Sequence, residues 1–501
     1  MAFAELPVEL LHWVCSYLEP PEVQIFRLVC RVFNAVGEEY LLEEVKLYFN
    51  LPSTQKITEI GQSSRLSKYP RSLVFQTDSL PLEYNYSQWN EQRRDPHLPD
   101  GYWLDHMPDV EEQHRLNRGT ERDQRMANRI SRSIPQTIDS IRRPALPRKE
   151  LEEAYEHYRR LVREEGTILA EGILLRSLVT IFEACRNLDH VVINRGECMR
   201  EGVPRNVAAY FPSLVGPSFH EEGIGVAINS TQALQVFKAA DEVSRKIRKL
   251  ELGPISFQLF VSISDPNPGV HSQPEKMEGC VEYVLQHLES LRMTMMSFMD
   301  DPHGAEYEIN NLHDNNLRNC LSACQNLTEL DLTLVHLHDE YPAIKLRFAI
   351  GQIIWPHLRK LKISHLLTGQ DEFVDLLLRH RNTLESLGLR EIFLTDGTWV
   401  ECLNAFIGKL ENIKHVQLRG RFGIEVADGE ARRIFTFVRT VIPEDDWMRW
   451  QDIDQMDDEE YDAFEEARLF TAVIEDCITN GETLPQLRPQ RIFDTWGMDP
   501  W

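Results

Sequence analysis

Apolar residues along this chain first recur at helical spacing. Between Leu6 and Val36, residues Leu10, Leu11, Val14, Tyr17 and Leu18 share one broad face of a predicted helix. Pro20 and Pro21 end that run, because proline lacks the amide N–H and restricts the residue before it. A second run after Glu22 carries Val23, Phe26, Leu28 and Val29, and Phe33 with Val36 predicts a third, shorter turn. About forty residues rarely hold a stable core alone, so a bundle this rich in apolar side chains is expected to dock onto something.

Further along, the pattern changes to a repeated L-x-x-L-x-L string, each copy preceded by an amphipathic helical stretch. The strings are LDHVVI from Leu188, IRKLEL from Ile247, LESLRM from Leu288, LTELDL from Leu327, LRKLKI from Leu358, LESLGL from Leu384 and IKHVQL from Ile413. The last four begin 31, 26 and 29 residues apart. Helical periodicity before them appears in LLRSLVTIFEAC, VEYVLQHL, LRNCLSAC, FVDLLLRH and WVECLNAFIGKL. Helix followed by strand, repeated, predicts a parallel sheet with helices outside it, and at this period the leucine-rich-repeat horseshoe is the natural solution. The competing reading is an ordinary α/β domain with chance strings.

Other segments break the repeat. EVKLYF from Glu44 and RSLVF from Arg71 read as strands of degenerate opening repeats. Residues 82–148 are polar, with few aliphatic side chains per charge and several prolines, and are expected to be the most mobile and protease-sensitive part of the chain. Residues 150–165 predict a helix with Leu151, Tyr155, Tyr158 and Leu161 on one face, and a second insertion is expected near 197–225. The predicted organisation is α/β: a helical module over 1–44, a repeat solenoid over 45–440 with the inserted polar region 82–148, and an acidic segment over 441–501.

Composition narrows the function. A net charge of −25 argues against general nucleic-acid binding, which needs a positive field. No eighteen-residue apolar run predicts a membrane span, and no signal-peptide pattern opens the chain, so a cytoplasmic or nuclear protein is expected. The nine cysteines are scattered, without a C-x-x-C pair, as expected of buried thiols in a reducing compartment. Cys320 and Cys324 could pair on a metal but read more simply as core thiols. HLHDE, from His336 to Glu340, offers two imidazoles and two carboxylates, against the simpler reading of a solvated loop. No catalytic motif is found, so no catalytic residue, metal site or cofactor is expected.

Strand alternation places the leucines of each string inward and their neighbours on the concave face. In the last three strands these neighbours include Lys360, Lys362, Arg390, His415 and Arg419 with no acid, a basic patch expected to bind a protein target, or else ordinary solvated decoration. After them comes the acidic run from Pro443 to Ala467. Opposite fields predict that this run packs across the last repeat through Trp447, Trp450, Tyr461 and Phe464. The alternative is a solvated tail.

The N-terminal residues resemble the F-box. Leu6, Pro7, Glu9, Leu10, Leu11, Val14, Tyr17, Leu18, Arg27, Val29, Cys30, Arg31 and Phe33 follow its pattern in order and spacing, with Phe33 standing where Trp is most common and Val23 where Leu is usual. With the repeats, the layout is similar to fungal F-box proteins with leucine-rich repeats. The resemblance implies a three-helix module that binds the adaptor of a cullin-based SCF ubiquitin ligase, and a horseshoe that binds the substrate. It implies adaptor contacts at Leu6, Pro7, Leu10, Leu11, Val14, Leu18, Phe26, Val29 and Cys30, of which Leu10, Leu11, Val14 and Phe26 are expected to be largely exposed in the isolated chain. The ligase chemistry would belong to other subunits. The rival expectations are a repeat scaffold outside any ligase, a helical hairpin that only caps the next domain, and an enzyme with an unrecognised site.

Overall fold

The computed structural model describes residues 6–18, 20–77, 85–87, 89, 148–194, 222–256, 259, 275–297, 316–336, 344–424, 435–437 and 458–484. The chain divides into two compact units, residues 1–188 with 193–239, and residues 189–192 with 240–501. The fold is α/β, with nine parallel strands in an open sheet and thirteen helices among the described residues, an arrangement compatible with a repeat horseshoe. The strands lie in chain order, β1 to β10, and the short tenth runs antiparallel to β9.

In the first unit, α1 (Val8–Cys15), α2 (Pro20–Arg27) and α3 (Arg31–Leu41) form the N-terminal bundle. Pro20 and Pro21 open α2, where the first amides of a helix have no acceptor to lose. Leu11 and Cys15 of α1, Val23 and Phe26 of α2, and Phe33 and Val36 of α3 make a closed core, with the Phe26 and Phe33 rings 4.5 Å apart. β1 (Glu44–Tyr48) and β2 (Ser72–Gln76) flank α4 (Leu51–Gln62), whose Asn50 cap accepts from the Ser53 amide at 2.9 Å. α5 (Arg148–Ala170) extends past the predicted helix at both ends and packs Ala154 and Tyr158 against Trp89. α6 (Ile173–Ala184) buries Leu174, Leu178, Ile181 and Phe182. β3 (His190–Asn194), whose first residues His190 to Val192 belong to the second unit, and α7 (Glu222–Glu242) follow. Most of residues 82–148 and 197–225, predicted as insertions, lie outside the described residues, so their expected mobility does too.

The second unit is the regular part. It contains β4 (Lys249–Ser256), α8 (Glu275–Leu285), β5 (Ser290–Ser297), α9 (Asn316–Ala323), β6 (Glu329–His336), α10 (Leu346–Ala349) and β7 (Lys360–Thr368). Then come α11 (Gln370–Arg379), β8 (Ser386–Leu394), α12 (Trp399–Phe406), β9 (His415–Ile424), β10 (Phe435–Phe437) and α13 (Asp458–Asn480). Each repeated string leads into a strand whose inward leucines are buried, from Leu250 and Leu252 in β4 to Leu387 and Leu389 in β8.

Two hydrogen-bonding devices, one of backbone and one of asparagine side chains, set the register. The residue just before one strand offers its carbonyl to two successive amides at the start of the next. Asp189 accepts from Arg248 and Lys249, Arg248 from Glu289 and Ser290, Glu289 from Thr328 and Glu329, and Thr328 from Arg359 and Lys360. Arg359 then accepts from Glu385 and Ser386, and Glu385 from Lys414 and His415. In the turn before the string, an asparagine amide donates to a carbonyl of the preceding repeat: Asn187 to Lys68 (2.8 Å), Asn326 to Gln286 (3.3 Å) and Asn412 to Asn382 (2.6 Å). Buried backbone groups at each joint thus find partners, which a stack of repeats needs at every turn.

The last strand is closed from outside. α13 lies against β9 and β10, with Thr471, Ile474, Cys477 and Ile478 buried. The Glu475 carboxylate accepts the Leu418 amide of β9 at 2.7 Å. Of the aromatic anchors expected for the acidic run, Trp447 and Trp450 lie outside the described residues, as do the side chains of Tyr461 and Phe464.

Candidate functional site

Two surfaces carry unusual chemistry. The first is the outer face of the N-terminal bundle. Leu11 and Cys15, four residues apart on α1, point into the core, so Leu10 with Val14 and Trp13 with Tyr17 fall on the opposite side. Trp13 is 60% exposed, Tyr17 74% and Leu28 85%, and Val8, Leu10, Val14, Ile25, Val29 and Val32 are exposed as well. The Trp13 and Tyr17 rings meet edge to face with centroids 5.8 Å apart. Pro7 is exposed, while Leu6, Leu18 and Cys30 are half-buried against the bundle core.

The expected exposure of Leu11 and Phe26 is corrected. Leu11 is 1% exposed and Phe26 8%, both in the bundle's own core. Adjacent leucines on a helix differ by about 100° in direction, and here the core takes Leu11 and leaves Leu10 outside. Trp13, Tyr17, Ile25 and Leu28, which no expectation named as contacts, are the most exposed members of the surface. Their signal was the density of apolar residues on both sides of each short helix.

The second surface is the sheet face of the second unit, read strand by strand. His190 Nε2 and Glu251 Oε1 stand 3.1 Å apart, Arg292 reaches Glu251 (3.7 Å) and Asp331 (3.8 Å), and Lys360 pairs with Glu329. Burial raises the Asp331 carboxyl above its ordinary range, more than nearby Lys362 and Arg292 pull it down. Lys360, expected in the basic patch, thus pairs with a carboxylate of β6, outside the three strands that the expectation covered. Lys362 and His415 are exposed, and Arg390 and Arg419 half-buried.

Register brings several of these residues together. Lys362 stands beside Gly388 and Gln417, and in the next row Ser364, Arg390 and Arg419 are direct neighbours on β7, β8 and β9. Gly388 leaves room for Lys362, since a Cβ there would lie 2.8 Å from Lys362 Cγ. Just past the second row all three strands turn left-handed, at His365 (φ 60°), Glu391 (φ 51°) and Gly420 (φ 72°). Two of these residues carry a Cβ, so the conformation is held against its own strain by the surroundings. Glu391 accepts the Arg421 amide and pairs with its guanidinium, both at 3.1 Å and largely out of water.

Elsewhere the chemistry is quiet. Among the described residues no group of three or more His, Cys, Asp or Glu could hold a metal ion. Cys324 is buried, its thiol pushed up to about 12, and it contacts the Cys320 carbonyl rather than a partner thiol. HLHDE falls outside the described residues, apart from the His336 backbone at the end of β6. No helix among the described residues is long and apolar enough to cross a membrane. No protein-family model matches the chain, and no curated protein matches it.

Proposed function

We propose that this chain is the substrate-recognition subunit of an SCF-type ubiquitin ligase. The apolar face of α1 to α3 takes the adaptor, which links the chain to the cullin scaffold, and the repeat sheet takes a protein target. The observation that carries the reading is the bundle's double apolar inventory. Six side chains fill a closed core, and nine more large apolar side chains stay exposed around it. Burying what remains exposed of those nine would contribute on the order of 10 kcal/mol before association costs, at roughly 25 cal/mol per Å². That is ample for a stable complex and costly to leave in water. The F-box resemblance supplies the identity of the partner.

In this reading the chain is not itself a catalyst. It holds a target near a ubiquitin-charged enzyme and raises the target's effective concentration there. It works in the cytoplasm or nucleus, where cullin ligases assemble. The test is capture of purified adaptor by the full chain. Leu10→Glu with Val14→Glu should abolish capture while the repeat unit stays folded by circular dichroism. Undiminished capture by that variant refutes the adaptor reading.

A further inference from the structure

We draw no further inference here: the strongest candidate, the ladder of alternately charged side chains that crosses the sheet face from His190 on β3 through Glu251, Arg292 and Asp331 to Lys362 on β7, belongs to the surface already described and has each charge met by its neighbour, so nothing in the structure shows what a ligand would take hold of there.

Discussion

Glu475→Ala tests whether α13 closes the sheet chemically or only covers it. Among the described residues β10 pairs with β9 from Gly420 to Phe422, so the β9 edge ahead of that stretch takes another acceptor. The Leu418 amide finds it in Glu475 Oε1 at 2.7 Å, and Leu418 itself is buried. Truncating the acid strands a buried N–H, which costs about 1–3 kcal/mol, toward the upper end because the acceptor is charged. Thr471, Ile474 and Ile478 remain to hold the helix in place. The loss should therefore be local. Hydrogen exchange read by mass spectrometry over residues 415–424 reports it. At about 1.4 kcal/mol per factor of ten, protection there should fall roughly 5- to 150-fold, with peptides of β4 to β6 unchanged. Glu475→Gln keeps an acceptor oxygen and should stay within about threefold of wild type. Wild-type exchange in Glu475→Ala would refute the reasoning, as would a Gln variant as damaged as Ala.

Other consequences follow from the same packing. Leu11→Ala should destabilise the N-terminal bundle by about 2–5 kcal/mol, whereas Leu10→Ala should leave its folding nearly unchanged, as measured by urea denaturation. Gln232 on α7 is 1% exposed and neither of its amide atoms has a partner, so Gln232→Met should raise stability by about 1–3 kcal/mol on the same measurement. His380 is buried, its Nε2 accepting the Trp355 amide at 3.1 Å and its Nδ1 meeting the Leu376 carbonyl at 2.9 Å, and burial holds its pKa below the ordinary imidazole value. The unfolded chain then takes up the proton first as pH falls. This contribution is complete above about pH 6.5 and is lost on acidification, with a slope of at most about 1.4 kcal/mol per pH unit. Thermal melts of wild type and His380→Gln between pH 7.5 and 5 should converge as pH drops, and parallel curves would refute it.

Repeats announce themselves because their leucines recur at fixed intervals with helices between, and each of the seven strings leads into a strand. The finer joints were written in the sequence too, though less loudly. CRNL and CQNL share a cysteine and an asparagine before the first leucine, and the structure gives the two residues distinct jobs: Cys185 and Cys324 are buried, and Asn187 and Asn326 reach the previous repeat. Periodicity could not say which side of α1 faces inward, because both sides are apolar and only tertiary packing separates Leu11 from Leu10. Nothing marked the left-handed row either. His365 and Glu391 are ordinary residues, and glycine flags only the third position. Glu475 was hidden for a different reason: in so acidic a segment, one carboxylate with a backbone partner looks like its solvated neighbours.

Charge on this chain follows from geometry rather than from counting. At the strand starts, Asp189, Arg248 and Glu289 alternate, as do Arg359, Glu385 and Lys414, each within 4 Å of the next. The Lys414 hydrogen bond holds the Glu385 carboxyl below its ordinary range even though the pair is in water. Such exposed pairs contribute little to stability, but a row of them leaves no net field for a partner to read. The face of β3 to β6 is neutralised in the same way. On β7 to β9 the interruption is in the backbone instead, with left-handed residues at His365, Glu391 and Gly420. The bundle at the other end of the sequence differs in kind: there the exposed surface is apolar rather than charged, with Trp13, Tyr17, Ile25 and Leu28 outside a closed core.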